Sequence, residues 1–192
     1  MKKNTSSFKG KIIVVGVCGG IAAYKAAELV RRLIEAGAEV HVVMTSAARE
    51  FVTPLTFQTL SGHSVHTDLF NLTEEGLSMG VAHISLADRA DVIVIAPATA
   101  DLMARAAHGL CNDLLTTILC ATRSPVVLVP SMNVNMWNNA ITQDNLAKLR
   151  RHGWTVVDPD SGELACGYNG KGRLPDPDVI LKTIEKTLTK KK

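Results

Sequence analysis

Aromatic side chains are scarce in this chain: Phe, Trp and Tyr supply only 4% of its 192 residues, against 46% hydrophobic residues overall. The core must therefore be aliphatic. No apolar run approaches the roughly 18–20 residues of a membrane span. The basic start, MKKNTSSFKG, leads into a strand-like run ending in glycines, with no signal core or cleavage site. A cytoplasmic protein is the default. Cysteines are few: Cys18, Cys111, Cys120 and Cys166 form no CxxC pair, and none lies near a histidine at zinc-finger spacing. Neither a disulfide framework nor a metal site is expected. Cys120, inside ILCAT, reads as a small core hydrophobe, whereas Cys111 stands beside the polar pair Asn112-Asp113. A basic stripe is missing too. The net charge of +3 includes Lys2, Lys3 and Lys190–Lys192 at the two ends, so the body carries a slight negative excess. Nucleic acid is not an expected partner.

What is present is an alternation. KIIVVGV, AEVHVVMT, DVIVIAPA, SPVVLVPS and WTVVDP read as five strands. Between and after them lie helical patterns at 21–37, 81–90, TADLMARAAHG, CNDLLTTILCAT, 139–153 and PDVILKTIEKTL. SAAREFV and TPLTFQTLSG suggest short helices, the second with Pro54 near its start, and 62–80 looks irregular. Continuous apolar strands alternating with helices predict an α/β fold with a parallel sheet covered on both faces. Right-handed crossovers make it doubly wound, Rossmann-like and three-layered. No repeat or linker divides it, so one domain is expected over 1–192, with flexible tails at about 1–9 and 187–192.

Ligands in such folds bind beyond the carboxyl ends of the strands. Here those ends carry Cys18-Gly19-Gly20, Thr45-Ser46, Pro97-Ala98-Thr99 and Pro130-Ser131-Met132-Asn133. The glycine turn is not GxGxxG, and strand two lacks the acidic residue that would hold a ribose diol. Hydroxyls at Thr45 and Ser46 suit a phosphate, so a mononucleotide such as FMN fits better than NAD; an ordinary helix cap is the alternative. The carboxamide of Asn133 suits a carboxylate or a flavin edge, with a capped helix start as the alternative. His83 is near the start of its helix, where a structural histidine is the commoner reading. His41, His63, His66, His108 and His152 show no usable constellation. Finally, LACGYNGKGRL puts three glycines and Cys166 in a segment unsuited to a helix or a central strand.

GVCGGIAAYKAAELVRRL, EFVTPLTFQTLSG, APATADLMARAAHGLCNDLLTT, PSMNVNMW and SGELACGYNGKGRL together resemble the flavin-dependent cysteine decarboxylases, and among them the phosphopantothenoylcysteine decarboxylases. The resemblance runs from about residue 10 to 182; PSMNVNMW and ACGYNGKGR are its specific motifs. It implies a flavodoxin-like fold, bound FMN, and trimers that often assemble into dodecamers. It implies decarboxylation of 4′-phospho-N-pantothenoylcysteine to 4′-phosphopantetheine, a step toward coenzyme A. The family's active-site histidine falls on His83, its substrate-binding asparagine on Asn133, and its reductive-step cysteine on Cys166. Met136 and Ala165 fall in the substrate-binding segments. Gly19, Gly20, Ile21, Thr45, Ser46, Thr99, Ala100, Asp101 and Ser131 fall in the flavin-contacting ones. No metal is implied.

The implied chemistry accounts for these residue types. Loss of CO2 from a cysteine carboxylate leaves an unstabilised carbanion. Prior oxidation of the thiol-bearing carbon by FMN gives a thioaldehyde that accepts those electrons, and an enethiol results. His83 would act as acid/base, Asn133 would hold the carboxylate without a charge, and Cys166 would supply the proton when the enethiol is reduced. The glycines would let its loop close over the substrate. Three positions after His83 depart from the family pattern: Ser85 for the usual Glu, Asp88 at a commonly basic position, and Arg89 for the usual Trp. Cys18 stands where Ser or Thr is common. Many bacterial members carry a C-terminal synthetase domain, so this chain is expected to be a standalone decarboxylase or an excised domain. Two rivals remain: a peptidyl-cysteine decarboxylase that releases the enethiol, and a non-catalytic flavin-binding regulatory subunit. A prenyl-transferring flavoprotein would have no use for PSMNVNMW with the Cys166 loop.

Overall fold

The computed structural model describes residues 7–70, 82–165 and 167–190. Five strands form a parallel sheet in the order β2 (Glu39–Met44), β1 (Ile12–Val17), β3 (Val92–Ala98), β4 (Val126–Pro130), β5 (Thr155–Val156). This is the flavodoxin-like order, with the topological switch between β1 and β3. Side chains alternate between two cores. Ile13, Val15 and Val17 of β1 face α1 (Ala23–Glu35), α2 (Pro54–Ser61) and the closing helix Pro177–Thr189. Val14 of β1 and Ile93 and Ile95 of β3 face α3 (Ala82–Arg89), α4 (Ala100–Ala107), α5 (Leu114–Ala121) and the helix Ala140–Arg151. The sheet is thus buried on both faces, which is why its strands read as unbroken apolar runs.

Local signals set the helix ends. Pro54 opens α2 and Gly62, at φ 72°, closes it in the left-handed region where a side chain is strained. Asp113 and Thr116 form a reciprocal capping box at the start of α5. Burial opposes ionisation of Asp113, but hydrogen bonds from Thr116 and Arg105 outweigh it and hold its carboxyl below the usual range.

Four expectations change. Phe8 is not part of a tail: it is 2% exposed, and its N–H donates to the Ala36 carbonyl at 3.0 Å. Burying such a ring contributes about 1.5–3 kcal/mol, which ties the chain's entry to α1. Nor does a C-terminal tail begin at 187, because the closing helix runs to Thr189 and Thr187 is buried. Cys120 is exposed rather than core: Leu114, Leu115, Ile118 and Leu119 form the buried stripe of α5, and Cys120 lies off it. The glycine segment is a β-hairpin, β6 (Asp160–Glu163) against β7 (Asn169–Arg173), with Gly170 and Gly172 inside a strand of a two-stranded ribbon. The short helix Val134–Asn138 realises the capped helix start that Asn133 offered as an alternative. Among the described residues no helix is long and apolar enough to cross a membrane.

Candidate active site

Backbone hydrogen bonds join the strand exits into one line along the carboxyl edge of the sheet. Thr45 N–H donates to the Val17 carbonyl (3.1 Å), Cys18 N–H to Pro97 (3.2 Å), and Ser131 N–H to Ala98 (3.0 Å). The hairpin continues the line. The Gly172 carbonyl accepts from Met132 N–H at 3.0 Å and from the Ser131 hydroxyl at 3.1 Å. A Cβ on Gly172 would lie 2.2 Å from the Met132 carbonyl oxygen, and one on Gly170 would lie 2.7 Å from Val134 Cγ2. These glycines therefore serve close approach of β7 to the Met132–Val134 segment. Lys171 adds a cation over the Trp137 ring, 5.4 Å from its centroid.

The turn between β6 and β7 is closed by Leu164 N–H to the Tyr168 carbonyl at 2.8 Å and Gly167 N–H to the Leu164 carbonyl at 2.9 Å. Ala165 is exposed on this turn. Cys166 lies outside the described residues, but its chain neighbours belong to a hairpin seated beside Asn133. Asn133 caps the short helix Val134–Asn138, its side-chain oxygen accepting from Asn135 N–H at 2.8 Å. Met136, one turn on, is exposed.

α3 carries His83 in its first turn and Arg89 in its last. Arg89, in the last turn of α3, donates to Glu39 at the first residue of β2 (3.2 Å). The C-terminus of α3 therefore sits at the amino edge of the sheet, and His83, six residues earlier, lies about 9 Å nearer the carboxyl edge. The His83 side chain is half-buried. Arg89, which replaces the family's usual Trp, thus anchors α3 to the edge strand by charge. Residues 71–81, including Met79 and Gly80 before it, lie outside the described residues.

The glycine turn has two distinct halves. A Cβ on Gly19 would lie 2.4 Å from Ala47 Cβ and 2.6 Å from its carbonyl carbon, so the turn packs on the 3-10 helix Ser46–Glu50. A Cβ on Gly20 would meet nothing within 4 Å. The first turn of α1 follows with no side-chain cap on Ala22, and Ile21 and Ser46 are exposed beside it. Backbone donors at a helix start, a side-chain-free glycine and a hydroxyl make a cradle for a phosphate. Thr45 is turned to other use: it is buried and its hydroxyl accepts from Ala48 N–H at 3.2 Å, the helix-cap alternative. Thr99 likewise caps α4, accepting from Leu102 N–H at 3.2 Å.

Beneath this edge Arg105 bridges Asp101 (2.7 Å) and Asp113 (2.6 Å), tying α4 to α5. Sequence reading missed this network, because its cross-helix half joins Arg105 of α4 to Asp113, eight residues on at the start of α5. Cys18 is sealed off. Burial pushes its thiol up to about 12, so it stays protonated and inert at neutral pH.

The two glycines make separable predictions. Gly19→Ala overpacks the turn against Ala47 backbone and should destabilise the flavin-free protein by about 1–3 kcal/mol. Gly20→Ala should leave that stability unchanged and lower flavin occupancy. Thermal unfolding of the flavin-free proteins and the flavin-to-protein absorbance ratio after gel filtration check both.

The Flavoprotein family model matches residues 1–189. The chain is 53% identical over 176 residues to the coenzyme A biosynthesis bifunctional protein CoaBC of Vibrio parahaemolyticus, covering 92% of this chain and 43% of that one. It thus spans less than half the length of the curated relatives it matches. Among solved structures, a Cys-to-Ser variant of PPC decarboxylase complexed with pantothenoylaminoethenethiol is 31% identical, with TM-score 0.80 over 92% of this chain and 97% of that one. The FMN-dependent cysteine decarboxylase SpaF is 32% identical, with TM-score 0.80 over 94% and 97%. Matched from its first strand to its last helix, the chain belongs to the Flavoprotein family.

Proposed function

We propose that this protein binds FMN and decarboxylates 4′-phospho-N-pantothenoylcysteine to 4′-phosphopantetheine, a step of coenzyme A biosynthesis. The observation that carries the reading is the docking of β7, the NGKGR part of the motif, on Ser131, Met132 and Val134, on the same edge as the glycine cradle. Relatives named for coenzyme A biosynthesis at 53% identity support the substrate. FMN fits the residues present: Gly20, Ser46 and the start of α1 would hold its phosphate, with Gly19, Ile21, Thr99, Ala100, Asp101 and Ser131 around it. When bound, it supplies hydride acceptance and return.

The chain's own residues do the rest. His83 moves a proton at the substrate thiol while the adjacent carbon is oxidised. Asn133 donates its amide NH2 to the carboxylate, its oxygen being engaged by Asn135. A neutral donor holds the carboxylate without stabilising its charge against departure. Cys166 delivers the proton that accompanies hydride return to the enethiol. The paired structure of a Cys-to-Ser variant with an ethenethiol supports that division of labour. Exposed Ile84 beside His83 and exposed Met136 beside Asn133 support a site shared across a trimer boundary. A fully active monomer would contradict that sharing. The bifunctional relatives support a synthetase as covalent or docked partner, and a cytoplasmic setting suits the pathway.

A second reading, a peptide ending in cysteine as substrate, has a specific observation behind it: the departures at Ser85, Asp88 and Arg89 after His83, beside an equal structural match to SpaF, an FMN-dependent cysteine decarboxylase. Offering 4′-phospho-N-pantothenoylcysteine and a cysteine-terminated peptide to the flavin-loaded protein, with products identified by mass, separates the two. Turnover of the small thiol is expected. Peptide turnover with the small thiol untouched would replace the proposal.

A further inference from the structure

Three side chains from two separate segments converge on the outer edge of the sheet. Glu39 and His41, two residues apart on β2, project from one face of the strand. His63 arrives from the segment after α2, which folds back along the edge. His66 N–H donates to the Val42 carbonyl and Met44 N–H to the His66 carbonyl, both at 2.9 Å. The Glu39 Oε1–His41 Nε2 distance is 2.8 Å, and the His41 and His63 ring centroids are 4.6 Å apart. One ligand atom from each of Glu39, His41 and His63 lies within 4.8 Å of the other two. His66 stands behind them, its ring 6.3 Å from that of His41.

We propose that Glu39, His41 and His63 bind a divalent first-row transition cation of the zinc class. Two imidazoles and one carboxylate are borderline donors suited to such ions rather than to magnesium or calcium. Tetrahedral metal–nitrogen bonds of about 2.0–2.1 Å imply ligand–ligand separations of roughly 3.3 Å, so the Glu39–His41 pair, at 2.8 Å, would open slightly on binding while His63, within 4.8 Å of both, would close in. His41 is buried whereas Glu39 is partly exposed, so the metal would have protein behind it and a water in front. Arg89, 3.2 Å from Glu39, is the one opposing charge in contact with that carboxylate among the described residues, and it would swing off on binding. The site stands apart from the catalytic edge. Glu39 pairs with Ile12 at the far end of the strand, about 16 Å from the Val17–Met44 pair that opens onto the crevice. Its role would be structural. It would clip the 63–66 segment to the edge strand and so hold the intervening Ser46–Glu50 turn, on which Gly19 packs.

The test is calorimetric titration of chelator-treated, FMN-loaded protein with zinc chloride, with thermal unfolding and zinc X-ray absorption on the saturated sample. One zinc per chain is expected, with a nitrogen/oxygen shell and a raised Tm. His63→Gln and Glu39→Gln should each weaken binding by at least about tenfold and remove the rise in Tm; Glu39→Gln, at a partly exposed position, keeps the test valid if His63→Gln fails to fold. No zinc uptake, affinity unchanged in either folded variant, or a sulfur shell from the cysteines would overturn the proposal.

Discussion

Replacing Cys166 by serine should give a folded, yellow protein that processes its substrate once and stops. Serine preserves shape and hydrogen bonding, but a hydroxyl is far more reluctant to release a proton than a thiol, whose ordinary pKa is ~8.5. The oxidative half-reaction and CO2 loss do not draw on that proton. The reductive half does, because hydride return to an enethiol leaves a thiol only if a proton arrives with it. The expected result is one CO2 per bound flavin, accumulated enethiol, flavin absorbance that stays bleached, and formation of 4′-phosphopantetheine lowered by about 10²–10⁴-fold. The seating of the hairpin explains why the effect should be that large. Its strand is fixed on Met132 by the Gly172 carbonyl, next to the asparagine assigned to the carboxylate. Mass spectrometry of the quenched reaction checks it, and full turnover would remove Cys166 from the mechanism.

His83→Asn should fail earlier. Asparagine keeps polarity and approximate size at the start of α3 but cannot exchange a proton near neutral pH. CO2 release itself should fall by about 10²–10⁴-fold, with flavin content and Tm unchanged. The structural half follows from where α3 is held. Its anchors are the Arg89–Glu39 ion pair and the Thr122 hydroxyl donating to the Ala87 carbonyl at 3.1 Å, neither of which involves His83. Normal decarboxylation by the folded variant would show that His83 is not the acid/base. The two variants thus divide the reaction at the enethiol, one failing before it and one after.

Residue patterns made some of this legible and hid the rest for identifiable reasons. The five strands declared themselves because each is buried on both faces. The exits at Gly19, Thr45, Thr99 and Ser131 followed from strand ends alone, and the sheet order places them side by side. The hairpin was hidden because its glycines serve contact with Met132 and Val134 across the fold, which no local pattern encodes. Cys120 misled because an apolar run does not reveal which face of a helix is buried. Phe8 is one ring before the first strand, too isolated to form a period. The Glu39–His41–His63 cluster depends on a loop folding back along an edge strand, and only the pairing of His66 with Val43 brings it together. Thr45 and Thr99 illustrate the opposite case: the sequence offered phosphate contact or helix cap, and the hydroxyls are caps. Their backbone can still line the crevice, but the side-chain role passes to the exposed Ser46.

The central claim is a complete oxidation, decarboxylation and reduction within one site. Mixing the flavin-loaded protein anaerobically with 4′-phospho-N-pantothenoylcysteine, while recording flavin absorbance and product mass together, tests it most directly. The account predicts 4′-phosphopantetheine as product, with the absorbance bleaching and then returning in full. An enethiol product with absorbance that never returns would contradict it.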